Sequence, residues 1–202
     1  MKVTVGIPVY NQEKLVIRAI ESIPKRDDIE IIVVDDGSTD NTWNNLLRYR
    51  DKHPKINLIL LYNEINKNVG YTVNRIYDSA TGDYIVLLGS DDYFLTDKFE
   101  ELLEELDGTD LIYFNVIINN GEVWDLNDES KELLCGSYKF MRRVFVGDTR
   151  CPVVVTAEDR PFYHELMAKN PTEKFTHKII KHYNHPRDGS LTDLVRKGIL
   201  HE

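Results

Sequence analysis

The chain has few cysteines, no excess of cationic side chains and no long apolar run. Its two cysteines, Cys135 and Cys151, match no metal-ligand spacing and make no disulfide framework. A reduced, cytoplasmic setting is the default for such usage. No apolar stretch reaches the length needed to span a bilayer. Met1 leads straight into a strand-like run rather than a basic and then apolar leader, so no signal peptide is expected. Lys and Arg total 25 against 34 Asp and Glu, a formal net charge of −9. That balance argues against a nucleic-acid binder working by general electrostatics. It leaves room for an anionic ligand held by a local cation or a helix N-terminus. No repeat, low-complexity tract or Pro/Gly/Ser linker divides the 202 residues, which are enough for a sizeable core.

What is present is an alternation. Val3–Val9 reads as a strand ended by Pro8, and Asn11 as the N-cap of a helix carrying Leu15, Ile17, Ala19 and Ile20. Ile29–Val34 is a second buried strand, with a helix over 43–52 capped by Asp40 or Thr42. A third strand over 56–62, a polar loop over 63–70 and a helix to Ser79 follow. Tyr84–Leu88 is the fourth strand. Strand and helix alternating in this way predict an α/β fold with a mostly parallel sheet flanked by helices and right-handed crossovers. The second half is smaller and less regular. It reads as an acidic helix over 96–106, a strand over 111–118, and a hairpin turn at 119–121 with a return strand through Trp124. A helix over 137–146 follows, with Lys139, Arg142 and Arg143 on a solvated face. Last come a helix from 160 or 161 to 168, a strand over 175–183, and a short helix capped by Ser190 or Thr192. The reading is one domain, with a ligand-binding half over 1–95 and a second half over 96–202.

Three acidic pairs stand at the ends of apolar runs: Asp35-Asp36, Asp91-Asp92 and Glu158-Asp159. In open α/β sheets the ligand crevice lies at the carboxyl ends of the strands. Adjacent carboxylates there repel unless a cation or charged ligand lies between them, and hard oxygen ligands suit Mg²⁺ or Mn²⁺ carrying a substrate phosphate. A nucleoside diphosphate asks for such a set: acceptors for a base N–H and for ribose hydroxyls, and a cation for the phosphates. The third pair supplies a candidate general base. Each pair alone reads equally as a solvated turn; the three together carry the argument. His177, His182 and His185 have no zinc spacing.

The ordered motifs Ile7-Pro-Val-Tyr-Asn11, Val33-Val-Asp-Asp-Gly-Ser38, Asn68-Val-Gly70, Arg75, Ala80-Thr-Gly-Asp-Tyr-Ile85, Ser90-Asp-Asp92, Glu158-Asp159 and Tyr183 through Arg187-Asp-Gly-Ser190 resemble the family 2 glycosyltransferases of the GT-A fold. The resemblance implies inverting transfer of a sugar from a nucleotide-sugar, most commonly a UDP-sugar, to an acceptor hydroxyl on a glycan, lipid-linked saccharide or protein. It implies that Pro8, Val9 and Tyr10 line the nucleotide pocket, and that Asp35 or Asp36 (with Asp36 favoured) meets the base or ribose. Asn68, Gly70, Arg75 and Ser90 belong to the same donor site. Asp91, with Asp92 assisting, binds Mn²⁺ or Mg²⁺; Asp159 is the general base, supported by Glu158. The Tyr183–Ser190 segment packs over the diphosphate or acceptor. Two departures stand out: Gly89 where the metal motif usually begins with Asp, and Asn74 and Ile76 around Arg75. The chain is also short for the family, which raises a reduced acceptor site, a domain of a longer protein or dependence on a partner subunit; a peripheral place at the inner membrane surface and a homo-oligomer are further expectations. A nucleotidyltransferase needs a Gly-rich, basic loop after the first strand, and Tyr10-Asn-Gln-Glu13 occupies that place. A non-catalytic nucleotide-binding module keeping the fold is the other alternative.

Overall fold

The computed structural model describes residues 1–129, 133–154, 158–190, 193–194 and 197–199. Four parallel strands form the first half: β1 (Val3–Val9), β2 (Ile29–Asp35), β3 (Leu58–Tyr62) and β4 (Tyr84–Leu87), in the spatial order β3-β2-β1-β4. β1 and β2 are buried almost along their whole length, which explains their continuous Val/Ile composition. Helices α1 (Val16–Glu21), α2 (Thr42–Lys52) and α3 (Asn68–Ser79) make the crossovers. The strand–helix alternation is as the sequence predicts, and Pro8 lies inside β1 rather than ending it.

Asn11 is not a helix cap. Its backbone is left-handed, at φ 50°, a conformation Asn tolerates better than most residues. Its Oδ1 accepts from Thr39 N at 2.8 Å, and its own N–H donates to Ser38 Oγ at 2.9 Å. The loops after β1 and β2 are thereby tied together, and α1 starts only at Val16. At α2 the N-cap is Asn41, between the two expected caps; Asp40 Oδ1, one residue earlier, accepts from Thr42 N at 2.9 Å.

The sheet continues through the second half with strands of both senses. β5 (Tyr93–Phe94) precedes α4 (Thr96–Leu103); β6 (Leu111–Ile118) and β7 (Val123–Trp124) form the expected hairpin. β8 (Lys139–Arg142), α5 (Arg143–Val146), α6 (Asp159–Met167) and β9 (Glu173–Tyr183) complete the described elements. The order runs on from β4 as β8-β6-β9-β5. β8 corrects the expectation of a helix over 137–146. It is inserted antiparallel between β4 and β6, with Phe140 opposite both Val86 and Ile112. Both neighbours are distant in sequence, so pairing overrides the helical spacing of the basic residues. Thr192, one of the two expected caps of the last helix, lies outside the described residues.

Candidate active site

The parallel strands bring the first two acidic pairs to one edge of the sheet. Asp35 ends β2 opposite Val9, Asp36 N donates to Val9 O at 2.8 Å, and Leu88 N donates to Gly6 O at 2.9 Å. The two pairs therefore flank β1, one on each side, rather than lying on adjacent strands.

Asp35 is fully buried; its Oδ1 accepts from Ser38 N at 2.8 Å, and its Oδ2 is buried with no hydrogen-bond partner among the described residues. Burial raises its pKa, against the hydrogen bonds from Ser38. Asp36 Oδ1 accepts from Asn63 Nδ2 at 2.7 Å and from Lys67 N at 2.9 Å. Arg75 Nη1 donates to Tyr62 O at 2.9 Å and also to Asn63 Oδ1. Arg75 thus braces the loop that holds Asp36. Tyr10 is 44% exposed just past β1, while Val9 is buried and Pro8 is partly buried. Asn68 is in the left-handed region at φ 70° where α3 begins, its N–H donating to Asn66 Oδ1 at 3.0 Å.

The turn after β4 separates its two acids. Asp91 is partly exposed and its Oδ2 accepts from Arg187 Nε at 2.7 Å. Asp92 is buried: Oδ1 accepts from Asn184 N at 2.9 Å, and Oδ2 lies 3.2 Å from Lys181 Nζ. Burial pushes its carboxyl pKa up and Asp91 adds to this, while Lys181 opposes both. Ser90 is buried in the same turn. At Gly89 a Cβ would lie 2.8 Å from Asp92 Oδ2 and 3.2 Å from Asp91 Oδ1. The turn folds back on itself in the space a side chain would need.

The third pair joins the same edge. Glu158 stands at the N-cap of α6 and Asp159 is its first residue. Both line a cavity of about 210 Å³ together with Pro8, Leu88, Gly89 and Lys139. Burial, with Asp159 adding, pushes the Glu158 carboxyl up to about 7. Lys139, expected on a solvated helix face, is instead buried. Its Nζ donates to the carbonyls of Leu134, Cys135 and Gly136 at 2.6, 3.0 and 2.7 Å. Burial lowers its pKa to about 8. Cys135 and Cys151 line the cavity as well, and burial raises both thiols, Cys151 to about 12.

Sequence reasoning did not single out Lys181 or Asn63. Lys181 was hidden by its place in an alternating Lys/His/Lys strand that reads as exposed. Among the described residues no three His, Cys, Asp or Glu side chains come together as a metal cluster, and no helix is long and apolar enough to cross a membrane.

Known proteins share this fold. The fold is that of TarS from Staphylococcus aureus in complex with UDP-GlcNAc, with a TM-score of 0.80 at 24% identity over 94% of this chain and 60% of that one. It is also that of the mannosyltransferase PcManGT from Pyrobaculum calidifontis in complex with GDP-Man and Mn²⁺, with a TM-score of 0.76 at 18% identity over 97% of this chain and 60% of that one. These are GT-A structures. In sequence the chain is 31% identical to an uncharacterised glycosyltransferase of Nostoc sp. over 133 residues, 64% of this chain and 39% of that protein. It is 35% identical to the chondroitin synthase of Escherichia coli over 105 residues, 51% of this chain and 15% of that protein. The chain spans less than two thirds of each of these proteins. The family model for glycosyl transferase family 2 matches residues 4–184, and the chain belongs to that family.

Proposed function

We propose that the chain transfers a sugar from a nucleotide-sugar, with a UDP-sugar favoured, to an acceptor hydroxyl with inversion at the anomeric carbon. The observation that supports this reading is the cavity that Glu158 and Asp159 line together with Pro8 and Gly89. Asp159 takes the proton of the acceptor hydroxyl as that oxygen forms its bond to the anomeric carbon. The bond from that carbon to the diphosphate breaks, and its electrons leave with the nucleoside diphosphate. Glu158, with a carboxyl that titrates near neutrality, supports Asp159 from within the same wall. Asp35 and Asp36 hold the base and ribose, with Tyr10, Val9 and Pro8 beside them. The buried Oδ2 of Asp35, without a donor among the described residues, supports its share in that role.

Of the two acids after β4, Asp91 is the one we assign to a divalent cation; Asp92 is committed to Lys181 inside the fold. A single carboxylate suits Mg²⁺ or Mn²⁺, which keep waters and substrate phosphates as their other ligands. Asp91 already attracts a cationic group, the Arg187 guanidinium. When bound, the cation supplies charge neutralisation for the leaving diphosphate.

Thermal shifts with UDP, GDP, CDP and dTDP, each with and without Mn²⁺, test the donor site, because a ligand of the folded state raises Tm. One nucleotide is expected to raise Tm in a Mn²⁺-dependent way; no shift with any of the four would overturn the donor site, and a shift without turnover of that nucleotide's sugars would favour the non-catalytic nucleotide-binding module. With that nucleotide's sugars as donors, Asp159→Asn is expected to lower turnover by at least about 10³-fold, as loss of a general base does at its larger effects. Nucleotide affinity should be unchanged. A loss of affinity instead would move Asp159 out of the role of base.

A further inference from the structure

Helix α3 carries a pattern that extends beyond the residues assigned to the donor site. Gly70, Asn74 and Asp78 are spaced four apart and so lie on one stripe of the helix. All three meet the same piece of chain, residues 150–152. A Cβ at Gly70 would lie 2.2 Å from the Pro152 carbonyl oxygen and 3.4 Å from Glu158 Cβ, so helix and loop touch backbone to backbone. Asn74 Nδ2 donates to Cys151 O at 2.8 Å, and its Oδ1 accepts from Cys151 N at 2.8 Å. Asp78 Oδ1 accepts from Arg150 Nε at 2.9 Å and Nη2 at 2.7 Å. The same helix reaches α6 directly where Tyr77 stacks on Phe162, with ring centroids 5.2 Å apart. On another side of α3, Arg75 holds Asn63, which holds Asp36.

These contacts are not equivalent. The Asp78–Arg150 pair is exposed and weakly stabilising. Gly70 sets a distance but holds nothing. Asn74 satisfies both backbone groups of a buried residue, Cys151, and so fixes the position of the chain along the helix. We propose that Asn74 is a positioning residue for the Glu158-Asp159 pair, holding the 150–152 segment so that α3 sets the place of α6 against the donor edge. The inference rests on Asp159 being the base. A catalytic group must be held to a fraction of an ångström, and a displacement of about 1 Å costs on the order of 10²-fold in rate.

Two measurements on Asn74→Ala test it, with Asn74→Asp, which keeps only the acceptor for Cys151 N, as the conservative variant. The first is amide hydrogen exchange, which needs no substrate. Faster exchange is expected in peptides covering 150–152 and in those covering 158–167, with the peptides of β1, β2 and β4 unchanged. Unchanged exchange over 158–167 would overturn the proposal, as would a uniform rise throughout the molecule. The second is kcat and donor KM with the nucleotide-sugar identified by the thermal shifts, with Asp159→Asn measured alongside. Asn74→Ala is expected to lower kcat by about 10- to 100-fold with KM and nucleotide affinity unchanged, and Asn74→Asp to fall between it and the parent. Full kcat in Asn74→Ala while Asp159→Asn is inactive would overturn the positioning role. Full kcat in Asp159→Asn would instead remove the base assignment, leaving the exchange result to decide whether Asn74 orders α6.

Discussion

Two glutamates, Glu30 buried and Glu158 half-buried, show how environment divides identical side chains. Glu30, on β2, accepts hydrogen bonds from Thr4, from Thr81 N and Oγ1, from Gly82 N and from Lys2 Nζ. Burial alone raises its pKa, but these donors outweigh it and hold the carboxyl at about 2. Glu158 has burial with no comparable set of donors and rises to about 7. The signs for stability are opposite. Glu30 stabilises above the unfolded value of 4.5, and that contribution fades as pH falls toward about 2. Glu158 binds its proton more tightly folded than unfolded, so its contribution to stability declines as pH rises from 4.5 through about 7. Glu30→Gln should lower stability at pH 7 by about 2–4 kcal/mol by urea unfolding, since a buried hydrogen-bonded charge is being removed from its donors. The deficit should shrink below pH 4. Glu158→Gln should do the reverse: a higher Tm than the parent at pH 8 and no advantage at pH 5. A constant Tm difference across that range would mean that Glu158 does not titrate there.

Among the elements, the parallel first half was legible because each strand carries its own message. A buried Val/Ile run ending in acids can be read without knowing its partners, and β2 and β4 follow that rule. The edge at which the acids gather follows from the strands being parallel. β8 was not legible. Lys139, Arg142 and Arg143 fall at helical spacing, and nothing local reveals that Phe140 pairs with residues 54 positions before and 28 before it. A lysine whose ammonium is enclosed by three carbonyls looks in sequence like any surface lysine. The 70/74/78 stripe is visible in sequence, but its meaning is not, because its partner lies more than 70 residues away.

Across the whole molecule, one sheet passes through both halves of the chain, and β9 closes it against the acidic turn. Lys181 is the inner fastening. It is fully buried, it pairs with Asp92, its Nζ donates to Ser137 Oγ at 3.0 Å, and it lies 4.6 Å from the Tyr138 ring centre. Lys181→Met would leave Asp92 buried without its counter-charge. A loss of about 3–5 kcal/mol is expected in chemical unfolding, and the double change Lys181→Met with Asp92→Asn should recover part of it. No recovery would place the cost in packing rather than charge.

The α3 stripe also bears on how such enzymes are recombined. The first two acidic pairs lie before residue 95, the third after residue 150, and the two parts are joined by a helix from the first gripping a segment from the second. A graft that imports a new second half must bring a 150–152 segment that fits Gly70, Asn74 and Asp78. Otherwise, on the roles proposed for Asp159 and Asn74, the hybrid is expected to keep its nucleotide affinity and lose turnover.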